Sequence, residues 1–350
     1  MKNTTLLILL LISLKSIGQE SKLKITIDER IETLYSVAFF NDYFLINSHE
    51  NLYKNTLKNK LNVLKNHKAV QLFDSLSTKY NFSYYRTVEW ILQYSNFPEL
   101  KKTKNKADDY STVSEDKEYL LEEFKDELIK FNQDTLFQKY LKAIKPLNEK
   151  IISQVQNSKT INKLPSYIED YYGKKLNSYN LILSPLLHAG GFNSEIINAN
   201  GEKEVYALLG PNGEIDFVPY FDKDFIETDL ILHEFGHSFV NPLMEKYENN
   251  VESLRSTYFT KELEKNGKDQ GYSEWKYIFN ELLLRATTIH IAKQKFGNKK
   301  AEKLLDFEKS VGFELVEKIV EILKEYELNR HTYATFDEFY PILIERMKNH

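Results

Sequence analysis

Along most of the chain apolar residues recur at steps of three and four, the spacing that puts them on one face of a helix. This pattern predicts helices over Ala69–Tyr80, Tyr84–Gln93, Glu118–Phe131 and Thr135–Gln156, after a short alternating strand at Leu23–Ile27. The texture changes at Tyr179. Leu181–Leu187 and Glu204–Leu209 are brief apolar segments bounded by Gly190-Gly191, Asn200-Gly201 and Gly210-Pro211-Asn212-Gly213, which are turn signals. They predict a small antiparallel sheet. Helical spacing returns at Thr228–Lys246, Ser273–Phe296, Lys299–Ser310, Phe313–Tyr326 and Thr335–Met347. The order is helices, a small sheet, then helices, so the fold class expected is α+β and predominantly helical. Lys101–Lys117, dense in charge, is expected to be a solvated excursion.

The amino terminus reads as an address. Lys2 is followed by the apolar run Leu6–Leu14 and by Ser16-Ile17-Gly18, the spacing of small residues at which an export signal is cut. Cleavage after Gly18 is expected, leaving 19–175 as a mostly helical region and 176–350 as the remainder of one unit. Lys15 ends the apolar run well short of the roughly 20 residues a spanning helix needs. The expected location is therefore periplasmic or extracellular, with no membrane partner after cleavage. There is no cysteine, so neither a lipid-bearing residue nor a disulfide is possible, and packing or a metal must supply stability. A net charge of −4 provides no basic footprint, which argues against nucleic acid as a partner.

Candidate chemistry is concentrated in Leu230–Val240, L-I-L-H-E-F-G-H-S-F-V. Thr228 or Asp229 is a suitable N-cap, and Asn241-Pro242 marks the expected end of the regular helix. Residues four apart stand one above the other, so His233 and His237 present two imidazoles to one point, the bite a tetrahedral zinc requires. Glu234, one step round, can reach a water there as general base. Gly236 costs about 1 kcal/mol relative to Ala inside a helix, which close packing of another element would offset. A third ligand is needed. Val240 and Leu243 exclude the metzincin pattern, whereas Glu281, set among Ile278, Phe279, Leu282, Leu283 and Leu284, offers a carboxylate from a second helix. A carboxylate in such surroundings must be paired or metal-bound; Arg285, one turn on, is the competing partner. His290 is 290 minus 281, or nine, residues further, half a turn off the ligand face.

H-E-F-G-H followed by Asn280-Glu281 resembles the gluzincin branch of zinc metallopeptidases. R-I-E-T-L (30–34), N-H-K-A-V (66–70), H-E-F-G-H-S-F-V-N-P (233–242) and N-E-L-L-L-R-A (280–286) are similar to a secreted domain-of-unknown-function family of that branch. The resemblance implies a zincin-like core with the sheet packed on the motif helix, one Zn2+ per chain on His233, His237 and Glu281, and Glu234 as base. A peptide or protein is the implied substrate. Arg285 stands where the thermolysin pattern has an aspartate, so support for the histidines must come from elsewhere. Arg285, His331 and Tyr333 are candidate oxyanion donors, with Tyr333 preferred, and Leu181–Leu187 resembles a substrate-accepting sheet edge. Two other readings stay open: an exported protein in which zinc only pins helices, and a helical glycan- or peptide-binding protein.

Overall fold

The computed structural model describes residues 23–46, 50–107 and 117–349; the expected signal segment 1–18, residues 108–116 of the charged stretch, His49 and His350 lie outside the described residues. Among the described residues the strands are β1 (Leu23–Thr26), β2 (Lys106–Ala107), β3 (Tyr179–Leu183), β4 (Gly190–Ile197), β5 (Lys203–Gly210), β6 (Gly213–Ile215) and β7 (Val218–Tyr220). The first five form one sheet in the order β1-β3-β5-β4-β2, and β6 and β7 form a hairpin beside it. The class is α+β and mostly helical, as the spacing predicts, but the sheet is mixed rather than antiparallel. β1 and β5 run parallel to β3, while β4 runs antiparallel to β5 and β2 antiparallel to β4. Apolar runs and turn residues locate strands without recording their direction. Direction here is set by connections: the chain leaves β1 through the amino-terminal helices before returning as β3, and β5 then pairs between β3 and β4.

β3 is interior, with Leu181 and Leu183 fully buried. Its near-continuous apolar sequence fits a strand covered on both faces. The segment Leu181–Leu187 therefore is not a sheet edge; the edge left largely unpaired belongs to β4, which pairs with β2 only at Ile196 and Ile197. Gly190 and Gly191, expected in a turn, open β4 itself. The Asn200-Gly201 signal does mark a turn, with Gly201 at φ +80 between β4 and β5.

Helices lie on both faces of the sheet. Tyr179 meets Phe235 edge-on at 5.0 Å, so Tyr179 and its cross-strand neighbours Val205 and Glu195 face the motif helix. On the opposite face Phe192 meets Tyr84, at the start of the helix Tyr85–Leu92. The amino-terminal region thus supplies β1, β2 and the cover of one face.

The motif helix Ile231–Lys246 starts earlier than Thr228 or Asp229 could cap it. Asp222 caps a first turn at Lys223–Phe225, and a π-turn at Ile226–Leu230 carries the spiral into the helix without a break. Nor does Pro242 end it: Phe239, Val240, Leu243 and Met244 are buried, and their packing outweighs the single backbone bond that a proline ring removes. Gly236 is the point of closest approach. A Cβ there would lie 3.0 Å from both Leu284 Cδ2 and the Tyr172 hydroxyl, so the helices Leu164–Tyr172 and Trp275–Phe296 both press on it. The second of these starts at Trp275 rather than at the expected Ser273, with Glu274 at its cap, and the Trp275 indole donates to the Val251 carbonyl at 2.8 Å. Between the motif helix and Trp275 the chain folds into short helices at Glu248–Glu252, Arg255–Tyr258 and Lys261–Asp269.

The end of β5 is locked under the connection from β3 to β4. A Cβ on Gly210 would lie 1.8 Å from the His188 carbonyl oxygen, a backbone atom that cannot swing aside. Gly210→Ala is therefore expected to destabilise the protein by about 3 kcal/mol, by the usual cost of overpacking. A urea midpoint equal to that of the wild type would refute this tight junction.

Candidate metal centre

Four residues spaced by four, Asp229, His233, His237 and Asn241, form one stripe from the π-turn to the third turn of the motif helix. The Trp275–Phe296 helix crosses that stripe and delivers Glu281 between the two imidazoles. His233 Nε2 lies 3.3 Å from Glu281 Oε2, and His237 Nε2 lies 3.5 Å from Glu281 Oε1. The ligand-capable atoms of these three residues lie within 4.8 Å of one another. Tetrahedral zinc with bonds of about 2.0–2.1 Å separates neighbouring donors by about 3.3 Å. The two histidine–carboxylate separations lie near that value, so the residues fit such an ion, and Glu281 Oε2 is buried with no hydrogen bond of good geometry.

The support that the histidines need is in the same stripe. Asn241 Oδ1 sits 3.1 Å from His237 Nδ1 and is itself held by Asn280 Nδ2 at 2.8 Å. An acceptor at Nδ1 selects the tautomer that leaves the Nε2 lone pair facing Glu281. Asp229 stands one turn before His233; burial raises its pKa, and the nearby His233 charge opposes that rise. Arg285 is anchored to Glu308 at 2.6 Å and reaches Glu281 only at 3.9 Å, its guanidinium 4.8 Å above the Phe313 ring. It is a charge behind the carboxylate rather than its bonded partner.

Without metal, the site balances its own charges. Burial alone would depress both histidines. For His237 it prevails, to about 4; for His233 the Glu281 carboxylate prevails and pushes the pKa up to about 9. Glu281 is held down at about 2 because His233 and His237 outweigh its burial. Glu234 is pushed up to about 7 by burial, with Glu281 adding to the rise and His233 opposing it. A carboxylic acid that titrates near neutrality is suited to accepting and returning a proton.

Glu234 also marks where the site meets the sheet. A Cβ on Gly191 would stand 3.0 Å from Glu234 Oε1, and two residues on, Asn193 donates to the Ser238 hydroxyl at 3.1 Å. Two residues of strand rise about 6.6 Å and four of helix about 6.0 Å. β4 and the motif helix therefore run alongside each other, with the first residues of β4 above Glu234.

Tyr333 is not brought to this cluster. Its amide bonds to the Asn329 carbonyl in the turn before the last helix, and its ring meets Phe339 at 5.2 Å. His331 is exposed in the same turn. The aromatic group beside the centre is Tyr272, in the loop before Trp275, whose phenol is raised well above its ordinary value by burial and then by Glu281, with Arg285 opposing. His290 lies apart, bonded to Glu327 and the Val320 carbonyl, as its half-turn offset implies. Asp229 and Asn241 carried a legible signal, the four-residue spacing shared with the histidines; Tyr272 and Glu308 carried none.

Residues 32–346 match the family described as Domain of unknown function (DUF4932), and the chain belongs to that family. Neither the curated proteins nor the solved structures contain a match to it.

With His233 raised to about 9, the metal-free site holds a proton that an ion must displace at neutral pH. Zinc titrated calorimetrically in buffers of different ionisation enthalpy should release about one proton per ion bound, and affinity should rise with pH up to about 9 and then level. Affinity that is flat from neutrality to that pH would contradict the His233–Glu281 pairing.

Proposed function

We propose that this chain is an exported, gluzincin-like zinc metallopeptidase with a zincin-like core. The observation that carries the reading is Glu281 set between His233 and His237, with a carboxylate oxygen 3.3 Å from one imidazole and 3.5 Å from the other, and Glu234 beside the open edge of β4. Among the described residues no fourth histidine or carboxylate joins the three, which favours a centre that keeps a position for water over one that only pins helices. His233, His237 and Glu281 would hold a zinc ion, which would polarise the substrate carbonyl and lower the pKa of a water.

The remaining work falls to the protein. Glu234 takes the proton of the attacking water at its carboxylate and returns it to the departing amine nitrogen. Its raised pKa suits both transfers, and the absence of a side chain at Gly191 leaves room for the carboxylate to swing between them. Tyr272, in place of the expected Tyr333, is the donor that steadies the developing oxyanion, because its phenol faces Glu281 and stays protonated. An extended substrate lies along β4, where the backbone groups of Gly191 and Asn193 point away from β5, as the amide of Glu195 does toward Glu89. Export rests on the first 18 residues; within the described residues no helix is long and apolar enough to cross a membrane.

Glu234→Gln removes the base and leaves all three ligands. The variant is expected to bind zinc stoichiometrically and to lose peptide hydrolysis by at least roughly a hundredfold. Undiminished turnover would remove Glu234 from the mechanism, and zinc bound by neither form would remove the metal centre.

A further inference from the structure

Beside the first residues of β4, on the face away from the motif helix, three aromatic rings form a ladder that runs from Phe192, packed against the core, out to the exposed Tyr84 and Phe44. Phe44 meets Tyr84 at 5.5 Å, and Tyr84 meets Phe192 at 6.0 Å. Phe44 and Tyr84 are 57% and 41% exposed, while Phe192 is half-buried. Phe192 directly follows Gly191, the residue above Glu234, so the ladder starts one residue from the centre of the chemistry.

Tyr84 is held there against its own preference. Its backbone is at φ 51, ψ −137, a conformation suited to glycine, and the exposed ring gains little from burial in return. The conformation is enforced from both sides: the Tyr84 amide donates to the Tyr43 hydroxyl at 3.1 Å, and its carbonyl accepts from the Thr87 hydroxyl at 2.8 Å. Strain kept at an exposed aromatic signals a task for the ring. Phe44 is positioned independently, since the Leu45 carbonyl next to it accepts from the His188 amide at 2.8 Å in the connection entering β4.

Resting on the peptidase reading above, we propose that Phe44, Tyr84 and Phe192 form a specificity subsite for one large apolar or aromatic side chain of the peptide substrate. A strand added to β4 turns alternate side chains to opposite faces. The residue opposite Gly191 faces Glu234 and the metal ligands. Its neighbour, opposite Phe192, turns to the other face, with its Cβ about 5 Å from that of Phe192. The subsite thus reads the residue adjacent to the one presented to Glu234.

The test uses zinc-loaded full-length mature protein and internally quenched peptides in which Phe, Leu, Ala or Asp occupies each position in turn. In parallel, binding of the dye-labelled Phe and Ala peptides to Glu234→Gln is followed by fluorescence anisotropy. A single position should favour Phe or Leu over Ala by at least roughly tenfold, in cleavage and in binding. Tyr84→Gly and Phe44→Ser should each reduce that ratio severalfold. Tyr84→Gly relieves the backbone, so its melting temperature should not fall, which separates a lost subsite from a damaged fold. Cleavage without such a position, or a Phe-to-Ala ratio unchanged in both variants, overturns the subsite and leaves the peptidase reading standing. Tyr84-dependent binding without cleavage keeps the subsite and overturns hydrolysis, and peptides neither cleaved nor bound overturn both.

Discussion

A carboxylate placed among leucines is the constraint around which this protein is arranged. Glu281 is 3% exposed on a helix otherwise buried along most of its length. A lone charge in such a place costs several kcal/mol, so the fold must bring opposite charge or metal to it. It brings His233 and His237 from one helix, with Arg285 and Glu308 behind. The crossing of the two helices, the glycine that lets them close at Gly236, and the asparagine pair Asn241 and Asn280 all serve that one demand.

The sheet adds a second feature beside this centre. The mixed topology turns β4 against β5 and leaves most of its outer side beyond the two-residue β2. Strand and motif helix rise almost in step, so the two contacts, Gly191 with Glu234 and Asn193 with Ser238, hold one registry. The amino-terminal region takes part as well: it contributes β1 and β2 and walls the far face of the same sheet.

Much of this was legible in the residues. Helix positions followed from three- and four-residue spacing, with Thr135–Gln156 matching to the residue. The three clustered residues His233, His237 and Glu281 could be singled out because two share a helix face and the third is a charge in apolar company. What could not be read depended on tertiary approach. Strand direction in the sheet, the continuation through Pro242 and the helix start at Asp222 are each decided by packing partners distant in sequence. Tyr333 was singled out for its residue type in a polar stretch, whereas Tyr272 reaches the centre only because a loop of short helices returns it there.

That loop has a consequence of its own. His237 and Glu281 are 281 minus 237, or 44, residues apart, and their contact ties off everything between them, including the helices Glu248–Glu252, Arg255–Tyr258 and Lys261–Asp269. In a chain with no cysteine, this junction is topologically what a disulfide would be. Closing a loop costs entropy that grows only with the logarithm of its length, about 0.6 kcal/mol for each doubling. The segment inside the tie is therefore the part of the molecule whose length can drift at small thermodynamic cost, while the two helices that bound it keep their crossing.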